Sequence, residues 1–389
     1  MGEHMKIGIV TLWDAFDNYG GILQTFALQK YFRDQGHDAF VIRYKIKKTK
    51  LTDVKSVVKN VLFKLNLLGK ERSENIKSER LRLREKLFAL KKAEERKFDK
   101  FRDKNIVLSE SIFTSLKDVK KNYPIADVYI TGSDQVWGRS LNNSFEPFFY
   151  LDFGRPETTR IAYAASFGSA AFPCENESRF NELVEKFDRV SVRENEGVAI
   201  CSKLGIKAER CIDPTFLLNV DVYESLAEPC KQKKPFAFFY TVNIGKSEDI
   251  YWDECLHLLK KKGVTLVVTT ASGYENAKEN FPSAIYDYAT VGGWLANMKN
   301  AKIIFTSSFH GLVFAILFKK DFICLPLKGF SQRGNERLID LLTLCGLQNR
   351  YAQNFDDVCK LIGKPIDYTA IDNSCLQNLI EKSKKFLEL

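Results

Sequence analysis

Apolar and polar positions change period repeatedly along this chain. Residues 6–12 (KIGIVTL) form an apolar run, and a polar loop follows at 13–21. From residue 22 to about 35, Leu23, Phe26, Ala27, Lys30 and Tyr31 fall near helical spacing, and Gly36 marks a stop. Residues 39–44 (AFVIRY), 127–132 (DVYITG), 160–166 (RIAYAAS) and 188–193 (DRVSVR) predict further strands. The pattern restarts at 236–242. A helix near 251–262, a strand at 265–271, a strand with its helix from 303, a strand at 323–326 and a short helix at 337–344 follow. Continuous apolar strands alternating with helices predict a mostly parallel sheet covered on both faces. The chain has 389 residues, long for one core, so two such lobes with a cleft between them are expected. The boundaries read as 6–228, 229–350 and a helical extension at 351–389, with a Lys- and Gln-rich linker at 229–235.

One stretch interrupts the first lobe. Val54, Val57, Val58, Val61, Leu62, Leu65 and Leu68 share one helical face, and Lys55, Lys59 and Lys64 lie off it. A second, more charged helix is expected from about 73 to 104. Residues 45–105 carry 21 Lys+Arg against 9 Asp+Glu. The whole chain is only +10, so the remainder is close to neutral. A basic helical insertion, not a basic body, argues against a nucleic-acid groove. The insertion reads either as a membrane-surface helix or as a helix packed on the first lobe.

Composition narrows the class. With 45% hydrophobic and 28% charged residues the chain is globular. No apolar run is long enough to cross a bilayer and no signal segment opens the chain, so a cytoplasmic protein is expected. Met1-Gly2-Glu3-His4-Met5 reads as an expression scar with Met5 as the natural start. The nine cysteines form no Cys-x-x-Cys pair, which points to reduced thiols and no zinc.

Candidate chemistry gathers where strands meet helices. Ligands of open α/β sheets bind there, and helix N-termini attract anions. Of the four histidines, only His310 sits at such a junction, in Thr306-Ser307-Ser308-Phe309-His310-Gly311. His37 and His257 read as structural. Asn18-Tyr19-Gly20-Gly21 opens the first helix, as a ligand-binding turn or a plain tight one. Ser133, Asp134 and Gln135 follow a strand. Asp134 and Gln135 could bind sugar hydroxyls beside Trp137 as a stacking surface, or Ser133 or Asp134 could cap a following helix. Arg193 ends a strand and either forks onto an anion or pairs with Glu194 or Glu196. Arg333 and Arg337, four apart, could converge on an anion or start a solvated helix.

Together these pieces resemble the polysaccharide pyruvyl transferase family. The carriers are Asn18-Tyr19-Gly20-Gly21 with Leu23-Gln24 and Ala27-Leu28, Gly132-Ser133-Asp134-Gln135-Val136-Trp137, and Tyr163-Ala164-Ala165-Ser166-Phe167-Gly168. Val192-Arg193-Glu194, Asp213-Pro214-Thr215, Ser308-Phe309-His310-Gly311 and Arg333-Gly334 with Arg337 complete them in family order. The resemblance implies a fold similar to B-type glycosyltransferases, with the acceptor on the first lobe and the donor on the second. It implies transfer of a pyruvyl group from phosphoenolpyruvate to a glycan or lipid-linked sugar, as a cyclic ketal, without metal or cofactor. His310 and Arg193 become the catalytic expectation. Asn18, Gly20, Gly21, Ser133, Asp134, Gln135, Ser166, Ser307, Ser308, Arg333 and Arg337 become substrate contacts. An anionic membrane surface, met through residues 54–70, would present the acceptor at the inner face of the cytoplasmic membrane. Members of the family often carry arginine where this chain has Ser308. A nucleotide-sugar glycosyltransferase and a non-catalytic assembly protein are the competing expectations.

Overall fold

Two parallel sheets organise the chain, and their C-terminal edges face each other. The computed structural model describes residues 3–14, 18–45, 93–138, 147–168, 177–244, 246–270 and 281–389. Residues 46–92, which hold most of the expected basic insertion, lie outside the described residues. Its described end, 93–105, forms two short helices, Ala93–Arg96 and Phe98–Asn105.

The first sheet contains β1 (Lys6–Val10), β2 (Asp38–Tyr44), β3 (Leu108–Phe113), β4 (Val128–Gly132), β5 (Thr159–Ala165), β6 (Arg189–Val192) and β7 (Glu209–Arg210). Its order is β3-β2-β1-β4-β5-β6-β7. The second contains β8 (Phe236–Thr241), β9 (Thr265–Thr270), β10 (Ile285–Tyr286), β11 (Ile303–Thr306) and β12 (Phe322–Cys324), ordered β10-β9-β8-β11-β12. Every described strand pair is parallel, as the unbroken apolar runs predict.

Helices α1 (Tyr19–Asp34) and α2 (Asn195–Lys203) belong to the first lobe. Helices α3 (Val291–Asn300), α4 (Phe309–Leu317) and α5 (Asn335–Leu344) belong to the second. Helix α6 (Ser374–Phe386) comes last in the chain and returns to the first lobe. There Ser383 Oγ accepts the Ile212 amide at 2.8 Å, and Arg189 Nη1 donates to the Phe386 carbonyl at 2.7 Å.

Strand order reverses between β1 and β4 in one sheet and between β8 and β11 in the other. At such a switch point the flanking connections leave on opposite faces and open a crevice. The first crevice is bordered by the start of α1 and the turn at Ser133–Asp134. The second is bordered by the end of β8 and the Ser307–His310 turn. The two crevices meet, because α1 packs on α4 and the His310 ring touches Gly20. One continuous core, from β1 through α1 and α4 to α5 and α6, runs beneath this junction. No helix among the described residues is long and apolar enough to cross a membrane.

Candidate functional site

Asp213 is where the site is built. It precedes Pro214, and its Oδ1 accepts the Thr215 amide (3.1 Å) and hydroxyl (2.7 Å), capping a 3-10 turn. This leaves Oδ2 for three donors. Arg193 Nη1 lies at 2.9 Å, Ser133 Oγ at 3.1 Å and His310 Nε2 at 3.3 Å. The histidine contact lies off the line of a good hydrogen bond. Asp213 is fully buried. Burial alone would raise its pKa. The neighbouring His310, then the charge of Arg193 and the bond from Thr215, outweigh it and hold the carboxyl well below the usual carboxylate range.

Arg193 closes the other side. Its Nε donates to Glu194 Oε1 at 2.8 Å, and its guanidinium lies 4.2 Å from the Phe309 ring centroid. Burial opposes its charge, but Glu194 and Asp213 outweigh that and push its pKa further up. Nη2 is buried without a hydrogen-bond partner. Arg193 therefore pairs with Glu194, as one sequence reading had it, and still keeps one donor uncommitted.

His310 is held from two lobes. Ser308 caps α4, its Oγ accepting the Gly311 amide at 3.3 Å. This places the imidazole in the first turn of α4, against the start of α1. A Cβ on Gly20 would lie 2.2 Å from the ring's Cγ and Nδ1. Glycine at 20 is thus required by the imidazole, which the sequence reading had ascribed to ligand approach. Asn18 caps α1 by accepting the Gly21 amide, and the Gly21 carbonyl accepts from Gln24 and Thr25.

The structure brings Ser133, Ser166, Arg193 and His310 into one buried network. Ser166 Oγ donates to Glu194 at 2.9 Å and accepts the Gly168 amide. Asp134 is half-buried beside this network, and its charge acts on Arg193, Arg337 and Tyr240. Ser133 and Asp134 both have positive φ, 32° and 59°. Consecutive non-glycine residues in that region cost about 1–3 kcal/mol each, and such strain collects at functional turns.

Some expectations are corrected. Among the described residues no helix begins directly after Ser133–Asp134, and Asp134 instead accepts the Gln135 amide. Trp137 is 3% exposed and stacks on Tyr150 within a core of aromatic rings, so it offers no sugar-stacking surface. The Ser307 hydroxyl is spent on the Val242 amide and carbonyl, 3.0 and 3.1 Å away, tying β11 to β8 rather than meeting a substrate. Ser166 and Ser133 are likewise buried behind Glu194 and Asp213 and brace them.

Arg333 and Arg337 do share a cleft. It is shallow and partly open to solvent, and is lined also by Phe167, Gly168, Glu194, Glu196, Gly197 and Glu336. Desolvation and then the charge of Arg193 push the Arg337 pKa down, and its Nε is buried without a partner. Sequence reasoning did not assign Asp213, Glu194 or Glu196 to the site. The signal for Asp213 was its place before a proline at a strand's end, and for Glu194 its adjacency to a strand-terminal arginine.

Comparisons with known proteins follow this geometry. A family model described as polysaccharide pyruvyl transferase matches residues 18–328, so Arg333 and Arg337 lie just beyond it. No curated protein sequence gives a significant match. Among solved structures, the UDP-GlcNAc 2-epimerase of Neisseria meningitidis, bound to UDP-GlcNAc, is similar at a TM-score of 0.51 and 12% identity. That match covers 98% of this chain and 99% of the other. A glycosyltransferase from Rickettsia africae has a TM-score of 0.47 at 13% identity, covering 100% of both chains. MurG of Acinetobacter baumannii has 0.41 at 11%, covering 98% and 94%. At 12% identity the likeness to the epimerase speaks to the fold alone, two parallel-sheet α/β lobes.

Proposed function

Because the chain belongs to the polysaccharide pyruvyl transferase family, we propose that it moves a pyruvyl group from phosphoenolpyruvate to two hydroxyls of one sugar in a surface-polysaccharide precursor. The product is a cyclic ketal, and phosphoenolpyruvate is a co-substrate, not a resident cofactor. The observation that supports this most is the buried Arg193–Asp213–His310 cluster at the meeting of the two crevices.

The reaction sets the requirements. The enol methylene carbon takes a proton, and the carbon bearing the phosphate becomes electrophilic. One sugar oxygen adds there and loses its proton, the carbon–oxygen bond to phosphate breaks, and the second hydroxyl adds and loses its own. Two hydroxyl protons are released; one replaces the proton delivered to the methylene carbon and the other leaves with inorganic phosphate. A single imidazole can deliver the first proton and recover one from a hydroxyl. The Asp213 carboxylate, ionised throughout the neutral range, stabilises the imidazolium and fixes the ring. The uncommitted Nη2 of Arg193 suits the donor carboxylate, and the N-termini of α1 and α4 suit its phosphate.

The test is incubation of the full chain with phosphoenolpyruvate and a panel of lipid-linked sugars, following phosphate release and ketal mass. His310→Ala is expected to lose roughly 10²–10⁴-fold in turnover, and Arg193→Ala to weaken donor binding. Full turnover in both would overturn the assignment.

A further inference from the structure

The described end of the insertion closes on the junction of the two lobes. Arg96 and Phe98 are both buried, while Lys97 between them is exposed and has a left-handed backbone, φ 50°. That conformation is unfavourable for a residue with a Cβ. Here it separates the two short helices and lets both neighbours turn inward. They turn onto Tyr19, the first residue of α1. The Arg96 guanidinium lies 5.0 Å from the Tyr19 ring centroid and 4.8 Å from that of Phe98, and its Nε donates to the Tyr19 hydroxyl at 3.4 Å. The chain then runs along α1. Phe101 meets Phe26 edge-on, and Gln29 exchanges two hydrogen bonds with the Val107 backbone. The insertion therefore rejoins the fold at the N-terminus of α1, the end that carries the site.

Tyr19 is also a hold of the first lobe on the second. Its hydroxyl donates to the Ala289 carbonyl at 2.6 Å, and its ring stacks on Trp294 of α3 at 5.4 Å and meets Tyr240 of β8 edge-on at 5.8 Å. One phenol oxygen thus accepts from the insertion and donates to the second lobe. The next residue is Gly20, which lies against the His310 ring. We propose that Arg96 is a positioning residue: by clamping Tyr19 against the second lobe it fixes the first turn of α1, and with it the imidazole of His310. The effect on turnover rests on the pyruvyl-transfer reading, whereas the placement of the ring does not. A buried guanidinium must offset its lost hydration. Two ring faces and the phenol oxygen do so here, because the planar group lies over a ring while its N–H donates at the edge. An apolar side chain of similar length would fill the space without linking the insertion to Tyr19.

The experiment reads the His310 ring itself, in the full chain with isotope-labelled histidine, through the Cε1–H signal identified by its loss in His310→Ala. Arg96→Met keeps the apolar stem but neither the charge nor the donor. Tyr19→Phe keeps the ring but not the hydroxyl. Each is expected to shift the His310 signal and leave those of His37 and His257 in place. Each is also expected to lower turnover roughly tenfold, within the roughly 100-fold that an ångström at a reacting group costs, with KM for phosphoenolpyruvate unchanged. Arg96→Lys, still cationic, is expected to recover part of both effects. The double variant Arg96→Met/Tyr19→Phe is expected to lose less than the two single losses combined, because both break one linkage. A lowered unfolding midpoint with the His310 signal and turnover intact would make Arg96 merely structural and overturn the proposal. So would a raised KM at unchanged kcat. If Arg96→Met does not fold, Tyr19→Phe carries the same outcomes. A His310 signal that shifts as expected in a chain that never consumes phosphoenolpyruvate upholds the positioning by Arg96 and overturns the transfer reading instead.

Discussion

Five polar contacts converge on the Asp213 carboxylate, and none of them reaches solvent. A buried carboxylate of this kind positions its neighbours; it has no lone pair to spare for substrate. Asp213→Asn leaves Arg193 and His310 without their shared counter-charge. The expected cost is about 3–5 kcal/mol of stability, since one partner of a buried ion pair is removed, and urea unfolding at neutral pH measures it. Its pH dependence has a defined sign. The folded pKa lies below the unfolded value of 3.8, so the stabilisation is complete above 3.8 and is lost as pH falls towards the folded value. The gap between wild type and Asp213→Asn should therefore close only in acid below pH 3.8. A gap that closes at a pH well above 3.8 would show that the Asp213 carboxylate is not what its neighbours hold ionised. Gly20 acts by leaving room. Gly20→Ala puts a methyl 2.2 Å from the imidazole, and an ångström of displacement at a reacting group costs roughly 100-fold in rate. Turnover should fall on that scale while the unfolding midpoint moves only a few degrees. Unchanged turnover would show that the ring's position does not matter.

At the scale of elements, the strand–helix alternation was readable because buried parallel strands are continuous apolar runs. Lys6–Val10, Val128–Gly132 and Phe236–Thr241 each lie within a residue or two of their expected limits. Three edge strands were missed, and each has a local cause. Leu108–Phe113 mixes polar residues into an exposed edge, while Glu209–Arg210 and Ile285–Tyr286 are two residues long. Helix α3, with glycines at its second and third positions, was not among the expected elements; Thr290 caps it and α4 packs beside it. The site was legible to the same extent. His310 and Arg193 stand at strand ends, where polarity after an apolar run is conspicuous. The roles of Ser307 and Trp137 depend on cross-strand and inter-loop partners, which local sequence does not contain. Helix α6 shows how a distant element supports the site. Its Ser383 accepts the buried Ile212 amide, one residue before Asp213. Ser383→Ala leaves that amide unpaired, at an expected cost of about 1–3 kcal/mol. Hydrogen exchange at Ile212 should quicken in the variant, and unaltered exchange would show that α6 is not what holds this segment.

Taken whole, the molecule is two facing α/β lobes whose switch-point crevices merge, with a basic stretch attached to the first. Residues 54–70 lie outside the described residues, and the proposal that they meet an anionic membrane rests on their spacing and charge. Each lysine near such a surface contributes about 1 kcal/mol. Deleting 54–70 should release the protein from vesicles containing anionic lipid in co-sedimentation, and equal binding would remove the membrane from the account. The central claim concerns His310 as the group that moves the proton onto the donor. It is tested most directly by running the transfer in deuterated water and reading the ketal methyl group by mass and NMR. Wild type is expected to place one deuterium in that methyl and to release phosphate in step with it, and His310→Ala is expected to make almost no ketal. Labelled ketal formed by His310→Ala at the wild-type rate would contradict the claim.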